Sequence, residues 1–497
     1  MSFTTFKPET TDPINWALGA FAVAFSCVLA TYASVMPQIS NDFWLQAKVG
    51  ELVLLNGEIP STLLFPFSIV RDYVFNSHEW LPSVGFHLLV YVLGEGSLPL
   101  VLGALGLALF VSVVQMVYQR SGKDIPWSLT LGLLAIATEN FRHLLRPELF
   151  TLFLLIWTLM LMHCYTRTGS KYHALGIVGL GVIWANCHAS VVLAPVLVGA
   201  QALGTWLDRY RKSSTILSES KPTTSHWATL TILVTVATLV NPSGWRLWQF
   251  ALGFGADSLE KRFIIEWLSP FHQEFRSDRW LWIGAGVTLV LLYGGYVYRK
   301  SLSIADMLIA AVFIILAAIA MRFFVYLGIV AAYVLAPIAR LHVSNLSTKR
   351  KEMAILSGVC LLLLVLVVTC GNASKATPKF HPYNESLSPP MARVLEDSVH
   401  QGNVFNSFTL GAELVYRAYP RMRPTIDSRI DSYGNDYFLF SQALLRDKEL
   451  MDHFVNKYSI KYMLLTLADE DSLRSYLSSH NWERVLSDDQ YVFLEQH

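Results

Sequence analysis

"ISNDFWLQAKVGELVLLNGEIPSTLLFPF" (residues 39–67) begins just after an apolar run long enough to cross a bilayer, and it sets an acid beside two aromatics at Asp42, Phe43 and Trp44. A connection that merely reaches the next helix needs only a handful of residues. This one is long, mixes carboxylates with apolar side chains, and runs on to "NSHEWLP" (76–82). Such a stretch either decorates a membrane surface or forms a wall of a reaction site. The rest of the chain decides between them.

Composition sets the class. Hydrophobic residues fill 53% of 497 positions and charged residues 15%, against about 25% charged in an ordinary soluble protein. Mean hydropathy is +0.41. The net charge of +1 gives no electrostatic footprint for nucleic acid. The five cysteines have no CxxC spacing and mostly lie in or at the rim of apolar runs, which argues against a disulfide framework or a zinc site. The first apolar run, Trp16 to Met36, lacks the basic start and short core of a signal peptide and reads as retained.

Runs of about twenty apolar residues match a ~30 Å hydrocarbon core. Eleven are expected, near 15–36, 98–118, 125–140, 147–164, 172–187, 188–206, 226–241, 280–298, 304–320, 322–340 and 353–370. The shorter run at 81–94 reads as an interfacial helix. The basic residues then fall on one side: Arg120 and Lys123, Arg167 and Lys171, Arg209 to Lys221, Arg299 and Lys300, Arg340 to Lys351. By the positive-inside rule that side is cytoplasmic, which puts the N-terminus inside and the chain after about 371 outside.

This orientation collects the unusual sequences on the outer face: "NDFW" (41–44), "NSHEW" (76–80), "ENFRHLLRPE" (139–148), "NCHAS" (186–190), "IIEWLSPF" (264–271) and "MRFF" (321–324). The runs 125–140 and 172–186 hold about fifteen residues each, roughly 22–24 Å of helix at 1.5 Å per residue. Their outer ends therefore lie below the membrane surface, in a notch where polar groups meet water or one another. Tilt with local thinning is the plainer account of the same lengths.

After about 375 the texture changes. "GNVFNSF", "RPTIDSRI", "IKYMLLTL" and "QYVFLEQ" read as strands, and "LGAELVYRAYP" and "DEDSLRSYLSSHNWERVLS" as helices, the pattern of a small α/β domain. The expected fold is a polytopic α-helical membrane protein with a small extracytoplasmic C-terminal α/β domain. Its membrane domain covers 1–371, including a first outer loop at 37–97, and the α/β domain covers 372–497.

An acid just after the first span, a long loop with an amphipathic helix, and "HEWLPSVGFHLLVYVLG" (78–94) before the second span together resemble the GT-C superfamily of integral-membrane glycosyltransferases. "RPELF", "NCHAS" and "IDSRIDSYGND" resemble a bacterial branch with an extracytoplasmic tail. The resemblance covers roughly 15–340. It implies a polyprenyl-phosphate-linked sugar donor, a protein acceptor such as a pilin or an envelope glycan, contact with membrane lipid, no nucleic acid, and the bacterial inner membrane. It also implies that Asp42 is the catalytic base. Several relatives carry paired acids where this chain has Asn41 before Asp42, which leaves dependence on a divalent metal open.

The chemistry makes three demands. A carboxylate must take the proton of an acceptor hydroxyl, cationic or amide donors must hold the leaving phosphate, and an apolar groove must admit the prenyl chain. Asp42 meets the first. Arg146, Arg322, Arg142, His188 and His78 are candidates for the second, since arginine forks match phosphate oxygens, and Glu79, Glu266 and Glu139 are candidate assisting acids. Each residue has a plainer role. Asp42 would also cap a helix beginning near 43, and Arg322 would also snorkel to the headgroups. Arg146, opposing a helix dipole, needs an anion such as Glu139, Glu148 or the donor phosphate. Glu79 and Glu266 read equally as surface acids. Asp427, Arg429 and Asp431 in "IDSRID" read as a local ion pair, and "DED" (469–471) as a charge cluster opening a helix. A lipid-linked-sugar flippase and a non-catalytic envelope scaffold are the alternatives. A flippase calls for inverted repeats and midplane charges, and a scaffold leaves the outward acids, arginines and histidines unexplained.

Overall fold

The structure, a computed structural model, describes residues 39–62, 65–68, 77–139, 143–211, 222–253, 264–276, 278–344 and 387–497. The expected spans 15–36 and 353–370 lie outside these residues, as does Arg142. The other nine apolar runs coincide with helices. In chain order the helices up to residue 344 are α1 (Asn41–Asn56), α2 (Trp80–Leu93), α3 (Leu98–Ser121), α4 (Ile125–Glu139), α5 (Glu148–Thr168), α6 (Lys171–Ala185), α7 (Leu193–Asp208), α8 (Thr224–Ala237), α9 (Arg246–Gly253), α10 (Arg279–Val297), α11 (Ile304–Ile319) and α12 (Phe324–Ser344). Among the described residues, Glu95–Ser121, Glu148–Thr168, Ala189–Asp208 and Trp280–Val297 are long and apolar enough to cross a membrane; α4, α6 and α11 are shorter apolar helices.

The bundle core forms around α12, whose residues from Val325 to Ala336 are buried wherever the side chain is apolar. It packs on α3, α4, α10 and α11. Arg120 and Asp306 form a buried ion pair at the α3–α11 contact, with the Arg120 guanidinium 3.8 Å over the Tyr333 ring.

α1 lies between two bodies. Ser40 caps it, its Oγ accepting the Asp42 N–H at 3.2 Å, and Gly57 ends it at φ 68°. Phe43, Trp44 and Ala47 join the bundle core, whereas Leu45, Val49 and Val53 pack with Ala412 and Val415 of the C-terminal segment. α2 crosses α1 so closely that a Cβ on Gly50 would lie 2.0 Å from the Ser83 carbonyl oxygen. Glycine alone permits that approach.

The C-terminal segment builds a five-stranded sheet, order β2-β1-β3-β5-β4, from β1 (Gly402–Asn406), β2 (Met422–Pro424), β3 (Ile460–Thr466), β4 (Trp482–Ser487) and β5 (Tyr491–Gln496). β2, β1 and β3 run parallel; β5 is antiparallel to both β3 and β4. Helices α13 (Pro389–Glu396), α14 (Gly411–Ala418), α15 (Ile430–Leu444), α16 (Lys448–Tyr458) and α17 (Leu467–Leu477) complete it. The strand expected across "RPTIDSRI" stops at Pro424. There the Asn406 side chain takes the Thr425 N–H at 2.9 Å and donates to the Ile426 carbonyl at 2.8 Å. These bonds turn the chain out of the sheet and toward α1. The tail of "DEDSLRSYLSSHNWERVLS", expected as the exit of a helix, is instead the edge strand β4.

Candidate active site

From Ser40 to Gly50 every residue except Asp42 is buried. That exception is the site's starting point. Burial raises the Asp42 carboxyl above its ordinary value and the charge of Glu266 adds to the effect, while the charges of Arg146 and Arg429 pull it back down. The cap expected of Asp42 belongs to Ser40, so the acid's helical position leaves its carboxyl unclaimed by the helix start.

Beside it stands a buried charge cluster. Arg146 precedes α5 and binds Glu148, the first residue of that helix, at 2.7 Å and Glu266 at 3.6 Å. Arg322, on the turn before α12, reaches Glu148 at 3.3 Å and Glu266 at 3.7 Å. The Tyr326 hydroxyl, one helical turn beyond Arg322, donates to Glu148 at 2.7 Å. The Arg322 guanidinium also lies 4.0 Å over the Trp267 ring, a cation–π stack that fixes its plane. Arg322 is thus enclosed by protein and does not reach out to headgroups. Four charged side chains from three separate segments form this square.

A second group gathers on Glu79. Its carboxylate accepts from Gln46 Nε2 at 2.6 Å, and His78 and His188 each bring Nε2 within 4 Å of it, at 3.7 and 3.8 Å. Ser190 Oγ lies 2.9 Å from His188 Nδ1 and fixes that ring from behind. Because Gln46 is one helical turn after Asp42 on α1, the Glu79 group and Asp42 share a helix. Glu139 is engaged elsewhere, its carboxylate 2.7 Å from His143 Nδ1. Among the described residues, no group of three or more His, Cys, Asp and Glu is arranged to hold a metal ion. Glu79 meets Gln46, His78 and His188, and Glu266 meets Arg146 and Arg322.

Two contributors escape a reading of the sequence, and Glu148 is legible only as an anion for Arg146. Tyr326 gives no signal beyond following Arg322 by one helical turn. Arg429 comes from the far end of the chain. The segment expected to hold a local ion pair makes an Asx turn, with Asp427 Oδ1 accepting the Arg429 N–H at 3.0 Å.

No family model matches the chain, and no curated protein matches its sequence. Solved structures do. The archaeal oligosaccharyltransferase AglB from Archaeoglobus fulgidus, solved with an inhibitory peptide and a dolichol-phosphate, aligns with a TM-score of 0.55 at 12% identity, over 94% of this chain and 73% of that one. ArnT from Cupriavidus metallidurans aligns with a TM-score of 0.55 at 13% identity, over 97% of this chain and 98% of that one. The chain has the GT-C fold. The mycobacterial arabinofuranosyltransferase AftD shares it, with a TM-score of 0.56 at 14% identity over 96% of this chain and 41% of that one. At these identities the GT-C likeness is one of architecture, and the assignment of residues rests on the geometry above.

Proposed function

We propose that this chain is a membrane glycosyltransferase that moves a sugar from a polyprenyl-phosphate-linked donor to an extracytoplasmic hydroxyl acceptor, with Asp42 as general base. The observation that carries the reading is the juxtaposition of Asp42, the single partly exposed side chain in a buried helical stretch, with two enclosed arginines at the same end of a GT-C bundle. In the reaction, the acceptor oxygen bonds to the anomeric carbon as that carbon's bond to the donor phosphate breaks. The hydroxyl proton passes to Asp42, and polyprenyl phosphate leaves with the bonding pair. A carboxyl raised by burial is a stronger base than an exposed one, which suits it to neutral pH.

Arg146 and Arg322 stabilise the leaving phosphate. Both are already paired with Glu148 and Glu266, and the carboxylates hold the two guanidinium planes before any donor arrives. Catalytic electrostatics depend on such preorganisation. His78 and His188, held on Glu79, are further donor-phosphate candidates. The same reading takes eleven passes, 1–371 as the membrane part and 372–497 as the outer part, and the bacterial inner membrane as the site of action. A pilin or an envelope glycan is the acceptor. Deleting the gene and profiling lipid-linked sugars beside surface glycans tests the class: one polyprenyl-phosphate sugar accumulates while one glycosylated product disappears. Unchanged lipid-linked sugars and unchanged glycans contradict it.

A further inference from the structure

The stretch "NCHAS" (186–190) carries the chain from α6 toward α7, and its side chains do more than make the turn. Asn186 ties the turn down. Its amide donates to the Val182 and Val240 carbonyls at 2.8 and 2.7 Å, and its side-chain oxygen accepts the Trp80 indole N–H at 2.7 Å. Its backbone carbonyl accepts the Leu81 N–H at 3.3 Å, which joins the turn to the start of α2. His188 then caps the short helical turn Ala189–Val192 that leads into α7, its Nδ1 accepting the Ser190 N–H at 3.1 Å.

A backbone N–H can only donate. His188 Nδ1 therefore presents its lone pair to Ser190, and the neutral ring carries its hydrogen on Nε2. The Ser190 hydroxyl agrees with this. Its oxygen accepts the Trp184 indole N–H at 3.0 Å and lies 2.9 Å from both Thr151 Oγ1 and His188 Nδ1. With Trp184 and Thr151 donating to the two lone pairs of that oxygen, its own hydrogen is left for Nδ1. The reverse tautomer would set the ring N–H against the Ser190 N–H. Thr151 also places the ring in the site. It follows Glu148 by three residues on α5 and so shares its face, and Glu148 is the carboxylate that holds Arg146 and Arg322. On its other side, His188 Nε2 comes to 3.8 Å from Glu79 Oε1, beyond hydrogen-bond reach. Among the described residues, that N–H has no acceptor.

Building on the glycosyltransferase reading, we propose that His188 gives the donor phosphate a hydrogen bond from a neutral ring, through Nε2–H, and that Ser190 is the positioning residue that fixes the ring in this form. Arg146 and Arg322 bring charge that Glu148 and Glu266 already balance. A neutral N–H anchored to the same turn of α5 adds a donor of fixed direction without adding charge. Its bond strengthens as negative charge builds on the leaving phosphate. Ser190 acts only through the ring, since its amide and its hydroxyl both meet Nδ1.

The test uses the full-length chain in lipid nanodiscs with isotope-labelled histidine, read by solid-state NMR, the His188 signals being assigned by their loss in His188→Gln. In the parent chain the ring nitrogen shifts show Nδ1 bare and Nε2 protonated. When undecaprenyl phosphate is added, dipolar dephasing by the lipid phosphorus reaches Nε2. Ser190→Ala weakens that dephasing and slows transfer roughly twofold to tenfold, the effect of one neutral hydrogen bond, and Ser190→Thr, which keeps the hydroxyl, restores both. If Ser190→Ala does not accumulate as folded protein, the parent-chain spectra decide alone. A protonated Nδ1 in the parent chain, bound undecaprenyl phosphate that leaves Nε2 undephased, or full dephasing in folded Ser190→Ala overturns the proposal while the glycosyltransferase reading stands. A parent chain that binds no undecaprenyl phosphate overturns that reading, and the proposal with it.

Discussion

Arg146 and Arg322 show how far single residues carry the account. Each is enclosed and each meets the same two carboxylates, so neither is a spare surface charge. A hydrogen bond to a charged group contributes ~1.5–3 kcal/mol. Losing one from the leaving phosphate therefore slows transfer roughly tenfold to a hundredfold at about 1.4 kcal/mol per decade. The expected outcome for Arg146→Ala or Arg322→Ala is a loss of that size at limiting donor, with Arg146→Lys only partly restored because lysine has no planar fork. Full activity in both alanine variants places the phosphate elsewhere. Asp42, Arg146, Arg322, His78 and His188 were legible because outward polar residues beside apolar runs stand out against a membrane protein's composition. Glu148 was visible only as a partner, and Tyr326 reads as one more aromatic in an apolar helix. The electrostatic effect of Arg429 on Asp42 was not legible, since it comes from the far end of the chain.

At the scale of elements, α1 is the hinge of the design, because bundle and C-terminal segment each bury one of its faces. The joint is reinforced by Arg417 on α14, which forks onto Glu95 with two bonds of 2.7 Å and also reaches Glu413 at 3.1 Å and Glu396 at 2.8 Å. Burial pushes the Glu413 carboxyl up to about 7, and the charge of Glu95 adds to it, against the Leu387 N–H and Arg417. A carboxyl raised on folding adds stability that is complete below its unfolded value, near 4.3, and is lost as pH climbs through the folded one. The melting temperature of the chain should therefore fall between about pH 4.5 and the folded value of about 7, and Glu413→Gln should flatten that part of the profile. An equal slope in both proteins removes Glu413 as its source. The helix α15 escaped the sequence because "SYGNDYFLFSQAL" mixes weak helix formers with aromatics, and packing overrides propensity. The edge strand β4 was taken as a helix exit because it leaves most of its side chains exposed and so lacks a strong alternating pattern.

At the scale of the whole molecule, the long apolar helices were the most readable feature, since hydrocarbon thickness dictates their length. The docking of the C-terminal segment was the least readable, because its contacts join residues far apart in sequence. The account requires that segment to face the same side as α1. Cysteines introduced at Lys300, in the basic turn after α10, and at Ser479, after α17, are both exposed. In a cysteine-free background an impermeant reagent should label Ser479→Cys in intact cells and Lys300→Cys only after permeabilisation. Equal labelling breaks the topology and with it the outward site.

The central claim rests on the Asp42 carboxyl. General-base assistance is typically worth 10²–10⁴-fold, and Ser40, not Asp42, caps α1, so Asp42→Asn removes the proton acceptor while leaving size and helix start in place. The decisive measurement is the rate of sugar transfer from a polyprenyl-phosphate donor by purified Asp42→Asn, with its melting temperature recorded beside that of the parent chain. The account predicts an unchanged melting temperature with transfer slowed by a hundredfold or more; a variant that melts normally and transfers at the parental rate contradicts it.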